Sequence, residues 1–252
     1  MSASLRFATD LAASTRDYLG YREASDALMD PRGRLVRFTP WRRTLMQILP
    51  DGSRLFCKFR SGRRADAEAE WEALDALDAL GLKVPQRVFF ARRGPDSVVG
   101  MAGVPGRPLD ALFAEQLGLP RALREMPRLL RHLHDAGWVF RDMYWNHVFT
   151  DLEADPGPAA EGPGPSHWDA GANHLWLIDV ERAFRPAFRG RRWIVKDLAG
   201  LLSSAPSACS STDALRFLRI YLGGLGPGWR SLARDVANKA RRIRGHVTRY
   251  PG

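Results

Sequence analysis

GWVFRDMYWNHVF, residues 137–149, is the stretch that decides how this chain folds. Arg141 and Asp142 interrupt a run that is otherwise apolar and aromatic, and Asn146 and His147 follow within five positions of Asp142. A buried strand has no use for an adjacent Arg–Asp pair, and a plain surface loop has none for Phe140, Tyr144 and Trp145 together. The combination fits a short loop whose aromatics are anchored in a core while the aspartate is held rigid, the preorganisation a catalytic base needs. Upstream, residues 120–136 read as a helix, with Leu123, Met126, Leu130 and Leu133 as its apolar stripe and Gly137 as its stop. Downstream, HLWLIDV (174–180) is a short buried-type strand closed by Asp179. A carboxylate there costs desolvation unless it is paired or binds a cation; a turn-capping aspartate is the plainer reading of one such residue taken alone.

Further out, the N-terminal third is strand-rich. RRTLMQILPDGSRLFCKF (42–59) has two apolar runs around Pro50–Ser53, a hairpin signal, within a strand region over 34–60. Lys58 ends its second run and is either on the solvent face or aimed at a partner. Residues 65–80 are strong helix formers, with Trp71, Leu74, Leu77 and Leu80 at near-helical spacing and Gly81 as a stop. Residues 83–106 read as two short strands turning at Gly94–Pro95, and the Gly/Pro-rich stretch 103–108 as a hinge. Two further helices are expected over 193–204 and 214–225, a Pro/Gly-rich mobile loop over 153–174, and a basic tail over 239–252. The expected architecture is α+β and two-lobed: an N-terminal extension (1–33), a strand-rich N-lobe (34–106) and a mainly helical C-lobe (107–252). A cleft between lobes is a common place for a ligand.

Composition narrows the function classes. The 252 residues, 45% hydrophobic, suffice for a real core. Two cysteines, Cys57 and Cys209, build neither a disulfide framework nor a zinc site and suggest a reducing compartment. Charge interrupts the first twenty residues too often for a signal peptide, and no run of roughly 18 apolar residues exists to span a membrane. The balance of 38 basic minus 28 acidic residues is +10, mostly from arginine, which forks onto phosphate and carboxylate. A coding bias towards Arg, Ala, Gly and Pro explains the excess equally well. Nucleic-acid binding is not expected: the charge is scattered and no recognised module is present.

A strand lysine, a glutamate on the next helix, an Arg-Asp loop and a strand-terminal aspartate follow one another in the order of the parts of a protein-kinase-like fold. Phosphoryl transfer needs a cation against the phosphates, a carboxylate to hold it, one aspartate for Mg²⁺ and another for the acceptor's proton. More closely, the chain resembles the lipopolysaccharide core kinases, the heptose and Kdo kinases. RRTLMQILPDGSRLFCKF (42–59) resembles their R-R-T strand, turn and lysine strand, and EWEALDALDALGLKVPQ (70–86) their E-W-x-x-L helix followed by G-x-x-V-P. LLRHLHDAGWVFRDMYWNHVF (129–149) is similar to their L-H-x-x-G…R-D-x-Y-x-x-H loop, LWLIDVERA (175–183) to their I-D-x-x-R-A strand, and RWIVKDLAGLLSS (192–204) to their R-W-x-x-K-D-L-A helix.

The resemblance implies roles. Lys58 would contact the ATP phosphates, with Glu70 as its partner and Glu68 as the fallback. Asp142 would be the catalytic base, Asp179 the Mg²⁺ ligand and Asp197 a structural acceptor for the catalytic-loop backbone. Arg141 would pair with a buried carboxylate or contact substrate. His147 stands where most protein kinases have a Mg²⁺-binding asparagine, as in the lipopolysaccharide kinases; imidazole suits Mg²⁺ poorly. It would therefore bond a phosphate or the Asp142 loop, and Asn146 would supply oxygen to the metal. Phe140 replaces the histidine that usually precedes Arg-Asp, and IDVER replaces Asp-Phe-Gly. RFTPWRRT (37–44) stands where a glycine-rich loop would cover the phosphates. There Arg42 and Arg43 either cover the phosphates with side chains or form a solvated strand edge. No Ala-Pro-Glu segment follows Asp179, so regulation by loop phosphorylation is not expected.

The implied activity is ATP- and Mg²⁺-dependent phosphorylation of a hydroxyl on a lipopolysaccharide inner-core sugar or similar lipid-linked saccharide. It is expected in the cytoplasm with peripheral contact with an anionic inner-membrane surface, the basic tail being a docking element or a solvated amphipathic helix. The alternatives are a non-catalytic kinase-like binding protein and a kinase for a protein or another small molecule.

Overall fold

The computed structural model describes residues 3–62, 67–117, 119–151, 173–188 and 190–245. The chain divides into two compact units. One is Met1–Ala79 with Val84–Val104 and Asp179–Glu181; the other is Leu80–Lys83 with Pro105–Ile178 and Arg182–Gly252.

The first unit contains β1 (Ala3–Phe7), α1 (Ala13–Leu19), α2 (Ala24–Met29), β2 (Arg34–Thr39), β3 (Arg42–Ile48), β4 (Arg54–Arg60), α3 (Glu68–Asp78), β5 (Arg87–Arg93) and β6 (Asp96–Ala102). The strands form one antiparallel sheet in the order β1-β5-β6-β4-β3-β2. The hairpin expected at Pro50–Ser53 joins β3 to β4, in register from Arg42 opposite Arg60 to Ile48 opposite Arg54. Its turn rests on Gly52 at φ 82° and on the Asp51 carboxylate, which accepts from the Ser53 amide at 2.9 Å. Residues 1–33, read from sequence as an extension, supply the edge strand β1, and Leu19, Tyr21, Ala24 and Ala27 of this segment join the core.

Strand alternation decides what each side of β4 does. Leu55, Cys57 and Phe59 point into the core with Leu45, Val98 and Tyr21, whose ring meets Phe89 edge-on at 5.0 Å. Lys58 and Arg60 point to the other side. Burial in that core, with the Asp30 carboxylate nearby, pushes the Cys57 thiol up to about 12. The core thus favours the neutral thiol. Between the ordinary value of 9.0 and about 12 the unfolded chain has lost a proton that the folded chain keeps, so stability falls as the pH rises through that window. At pH 8 a thiol reagent is expected to label Cys209, which is half-buried, and to reach Cys57 only on unfolding. Equal native rates for both thiols would contradict this packing.

The second unit contains β7 (Arg107–Pro108), α4 (Leu109–Ala114), α5 (Leu119–Asp135), β8 (Val148–Thr150), β9 (Leu175–Leu177), α6 (Arg191–Ser203), α7 (Ser211–Leu222) and α8 (Trp229–Arg244), with a small sheet ordered β7-β8-β9. On α5 three of the four expected stripe residues are inside: Met126, Leu130 and Leu133 are fully buried, with Leu129 beside them, while Leu123 is half-buried. Each such leucine contributes about 1.5–3 kcal/mol. Gly137 at φ 82° ends the helix run. A capping box starts α7: the Ser210 hydroxyl accepts from the Asp213 amide (3.1 Å) and the Asp213 carboxylate from the Ser210 amide (3.0 Å). The first part of the basic tail belongs to α8, where Arg244 donates to the Ser203 carbonyl (3.1 Å) and the Leu202 carbonyl (2.5 Å), capping α6. The remainder of the tail, from 246 on, lies outside the described residues, as does the loop expected over 153–174 except for its last two positions. Among the described residues no helix is long and apolar enough to cross a membrane.

Candidate active site

In the first unit the side of the sheet opposite the core is charged. Arg42, Lys58 and Arg60 share it, because Arg42 stands directly opposite Arg60 and Thr44 opposite Lys58. The Lys58 ammonium donates to Glu70 Oε1 at 2.5 Å and to Asp179 Oδ1 at 2.9 Å. Glu70, on the inward side of α3, is 0% exposed and uses its second oxygen to accept from Arg60 at 3.1 Å. Arg60 and Arg42 both pair with Glu181, which sits in the 3₁₀ turn Val180–Arg182. Burial alone would lower the Lys58 ammonium, but the Glu70 and Asp179 charges more than reverse it and raise the group above its ordinary 10.5. Its contribution to stability is therefore fully present below pH 10.5 and is lost only as the pH rises through the higher folded value.

In the second unit the Arg-Asp loop hangs from one buried carboxylate. Asp197 on α6 accepts from the Phe140 amide at 2.8 Å and the Arg141 amide at 2.7 Å. His134 Nε2 donates to the same carboxylate at 3.1 Å, and its Nδ1 meets the Tyr221 hydroxyl at 2.8 Å. The aromatics do the anchoring: Phe140 and Trp145 are buried, and Trp145 packs edge-on against Phe113 at 5.3 Å. Tyr144 is half-buried, its phenol raised by burial and by the Asp142 charge. The Asp142 carboxylate receives two bonds from Arg182, both 2.9 Å. Its backbone carbonyl accepts from His147 Nδ1 at 2.8 Å, which puts a proton on that nitrogen.

Among the described residues, the non-glycine positions at positive φ are Gln116, Arg141 (φ 70°) and Asp179 (φ 59°). Left-handed backbone is costly for such residues and persists where the surroundings over-determine it. Two of the three are expected site residues.

α6 and the loop approach so closely that Gly200 has no room for a side chain: an added Cβ would lie 2.3 Å from the Met143 carbonyl oxygen. Gly200→Ala must push the backbone next to Asp142. It is expected to cost about 1–3 kcal/mol and to lower kcat in the surviving folded protein. Unchanged melting and turnover would show that the contact is not needed.

The structure brings Lys58, Glu70 and Asp179 together, and Asp142, Arg141, His147 and Asp197 together. Glu68, the fallback for Glu70, pairs instead with Arg6 and Arg92. Arg43 does not join the charged cluster. It stands opposite Phe59, and its guanidinium lies 4.2 Å over that ring on the core side. Arg141 meets no carboxylate among the described residues; it lies over the rings of Phe184 (5.7 Å) and Trp193 (5.4 Å). Asn146 is exposed on the 3₁₀ turn Trp145–His147. Sequence reasoning missed Arg60, Glu181, His134 and Arg182. The first was signalled by spacing, two residues from Lys58 on the same strand. His134 lies in the quoted L-H-x-x-G motif, and its bond to Asp197 was not signalled by it.

Comparison with known proteins bears on the fold and the family. The sequence profile described as the lipopolysaccharide kinase (Kdo/WaaP) family matches residues 109–221. The lipopolysaccharide core heptose(I) kinase WaaP of Escherichia coli (strain K12) is 25% identical over 201 residues, 73% of this chain and 71% of that protein. A solved structure of WaaP in complex with acyl carrier protein superposes with a TM-score of 0.70 at 25% identity, covering 97% of this chain and 98% of that one. An aminoglycoside-3'-phosphotransferase of type VIII shares the fold, with a TM-score of 0.54 at 18% identity over 90% of this chain and 100% of that one. The fold and the kinase relatives together define a protein-kinase-like, ATP-dependent phosphotransferase with an alcohol group as acceptor. Within that class the chain is similar to the lipopolysaccharide core kinases, the family its motifs resemble.

Proposed function

We propose that the chain transfers the γ-phosphoryl group of ATP, with Mg²⁺, to a hydroxyl of a lipopolysaccharide inner-core sugar, a heptose or Kdo. The observation that carries this reading is Lys58 held by both Glu70 and Asp179: the lysine–glutamate pair is the one kinase-like phosphoryl transfer requires, and the aspartate beside it suits a metal ligand. The acceptor class follows from similarity to a heptose(I) kinase. Lys58 would move from Asp179 to the ATP phosphates while Glu70 keeps it oriented. Asp142 would accept the proton of the attacking hydroxyl, Arg182 holding its carboxylate and His147 its backbone. Arg141 contributes through its stacked guanidinium and its amide on Asp197, and Arg43 takes no part.

Bound Mg²⁺ would neutralise charge on the phosphates. It prefers hard oxygen ligands and keeps waters and phosphate oxygens, so few protein ligands suffice. The Asp179 carboxylate fits that demand, and Asn146 offers an amide oxygen. Among the described residues there is no group of three or more His, Cys, Asp or Glu that could hold a metal. The excess of ten positive charges suits work from the cytoplasm at an anionic membrane surface presenting the lipid-linked acceptor.

The test is incubation with labelled ATP, Mg²⁺ and dephosphorylated lipopolysaccharide core. Label in the core sugar is the expected result. ATP binding without transfer to any core acceptor would overturn the choice of substrate, and no Mg²⁺-dependent ATP binding would favour a non-catalytic binding protein.

A further inference from the structure

The R-W-x-x-K-D block of α6 does more than deliver Asp197. Its outer residues face α8 across an open groove of about 620 Å³, within the size range of small-molecule sites. Arg192 and Lys196 line one wall, four residues apart on one helix face, and Lys239 and Arg242 line the other. The groove has one carboxylate, Asp235, and it is already taken by Arg191 at 2.8 Å. Among the described residues Lys196, Lys239 and Arg242 have no carboxylate partner, and Arg192 only lies over the Trp193 ring at 4.6 Å. The first turn of α6, which opens into the groove, carries neither an acidic residue nor a side-chain cap. Its positive end adds to the field.

The groove also adjoins the catalytic loop. Trp193 carries the guanidiniums of both Arg192 and Arg141. Lys196 is lowered by burial first; the Asp142 carboxylate opposes that, and the cations Arg182, Lys239 and Arg141 add to it. Four clustered cations repel one another, and an anion placed among them would relieve that repulsion.

We propose that this groove is the anion subsite of the acceptor: it holds a carboxylate or phosphate of an acidic saccharide and so brings a neighbouring hydroxyl to Asp142. The inference rests on the reading of Asp142 as the catalytic base. A flat basic face would suit a lipid surface, whereas a groove beside the reacting carboxylate suits one group of the acceptor's sugar chain.

The test uses the full-length protein and lipid-free core oligosaccharide, titrated by calorimetry without nucleotide. The variants are Lys239→Ala with Arg242→Ala, and Arg242→Lys as the charge-preserving control. The double variant is expected to bind about 10- to 100-fold more weakly, with its melting temperature unchanged, while Arg242→Lys keeps most of the affinity. Reducing the sugar carboxyls, or removing its phosphates, shows which group is held: the treatment that weakens wild type and no longer matters to the double variant identifies it. Equal affinity of wild type and double variant overturns the proposal. So does a loss seen only when the acceptor sits in anionic vesicles, which marks a membrane contact. Binding as expected without transfer from ATP would instead remove the phosphotransfer reading and leave the subsite standing.

Discussion

Asp142→Asn is expected to lower kcat for phosphate transfer by about 10³-fold while leaving Mg²⁺-dependent ATP affinity within about threefold. The substitution keeps the shape of the side chain and one carbonyl oxygen, so Arg182 retains an acceptor. The bond from His147 is to the backbone and is untouched. Asp197 still holds the amides of Phe140 and Arg141. What is lost is the basic oxygen proposed to take the acceptor's proton. Steady-state kinetics with ATP and core acceptor varied separately measure the effect. A kcat within tenfold of wild type would show that Asp142 positions the acceptor without taking its proton.

Asp197→Ala is expected to destabilise the protein by about 3–5 kcal/mol, lowering the melting temperature by roughly 6–20 °C. Asp197 is 0% exposed. Its removal strands two backbone amides and His134 Nε2 where water does not reach them. The Arg141 backbone, at φ 70°, then loses the bond that holds it in a left-handed conformation. Folded protein that survives should be nearly inactive, because Asp142 is the next residue. Asp197→Asn keeps one acceptor oxygen and should fall between. A loss of under about 1 kcal/mol in Asp197→Ala would mean that the loop is held by its buried aromatics alone.

Long periodic elements and short-range turn chemistry were legible in the sequence. The α5 stripe, the β3–β4 turn and the Glu70 face of α3 all follow from spacing over a few residues. The Lys58–Glu70 pair came from the family resemblance, and the spacing of Glu70 to Leu74 and Leu77 chose it over Glu68. β1, α1 and α2 were not legible: each is too short to show a period, and none is marked by the kind of turn between apolar runs that gave away the equally short β3 and β4. Arg42 and Arg43 illustrate a second limit. Both were candidates to cover the phosphates, and only register decides which shares a side with Lys58. The pairing of Arg42 with Arg60 puts Arg42 among the site residues and Arg43 over Phe59. Long-range partners form the third limit. Glu181 meets Arg42 from 139 positions away and His134 meets Asp197 from 63, separations that no local pattern encodes. The roles proposed for Asp142 and Asp179 come from motif order, because an isolated strand-end aspartate reads equally well as a turn cap.

The most direct measurement is transfer of labelled phosphate from ATP to dephosphorylated lipopolysaccharide core, run beside Mg²⁺-dependent ATP binding for wild type, Asp142→Asn and Asp179→Asn. Wild type should bind and transfer, Asp142→Asn should bind without transferring, and Asp179→Asn should lose Mg²⁺-dependent binding. A wild-type protein that neither binds Mg²⁺-ATP nor transfers phosphate, with its fold intact, would contradict a phosphotransferase built on these two aspartates.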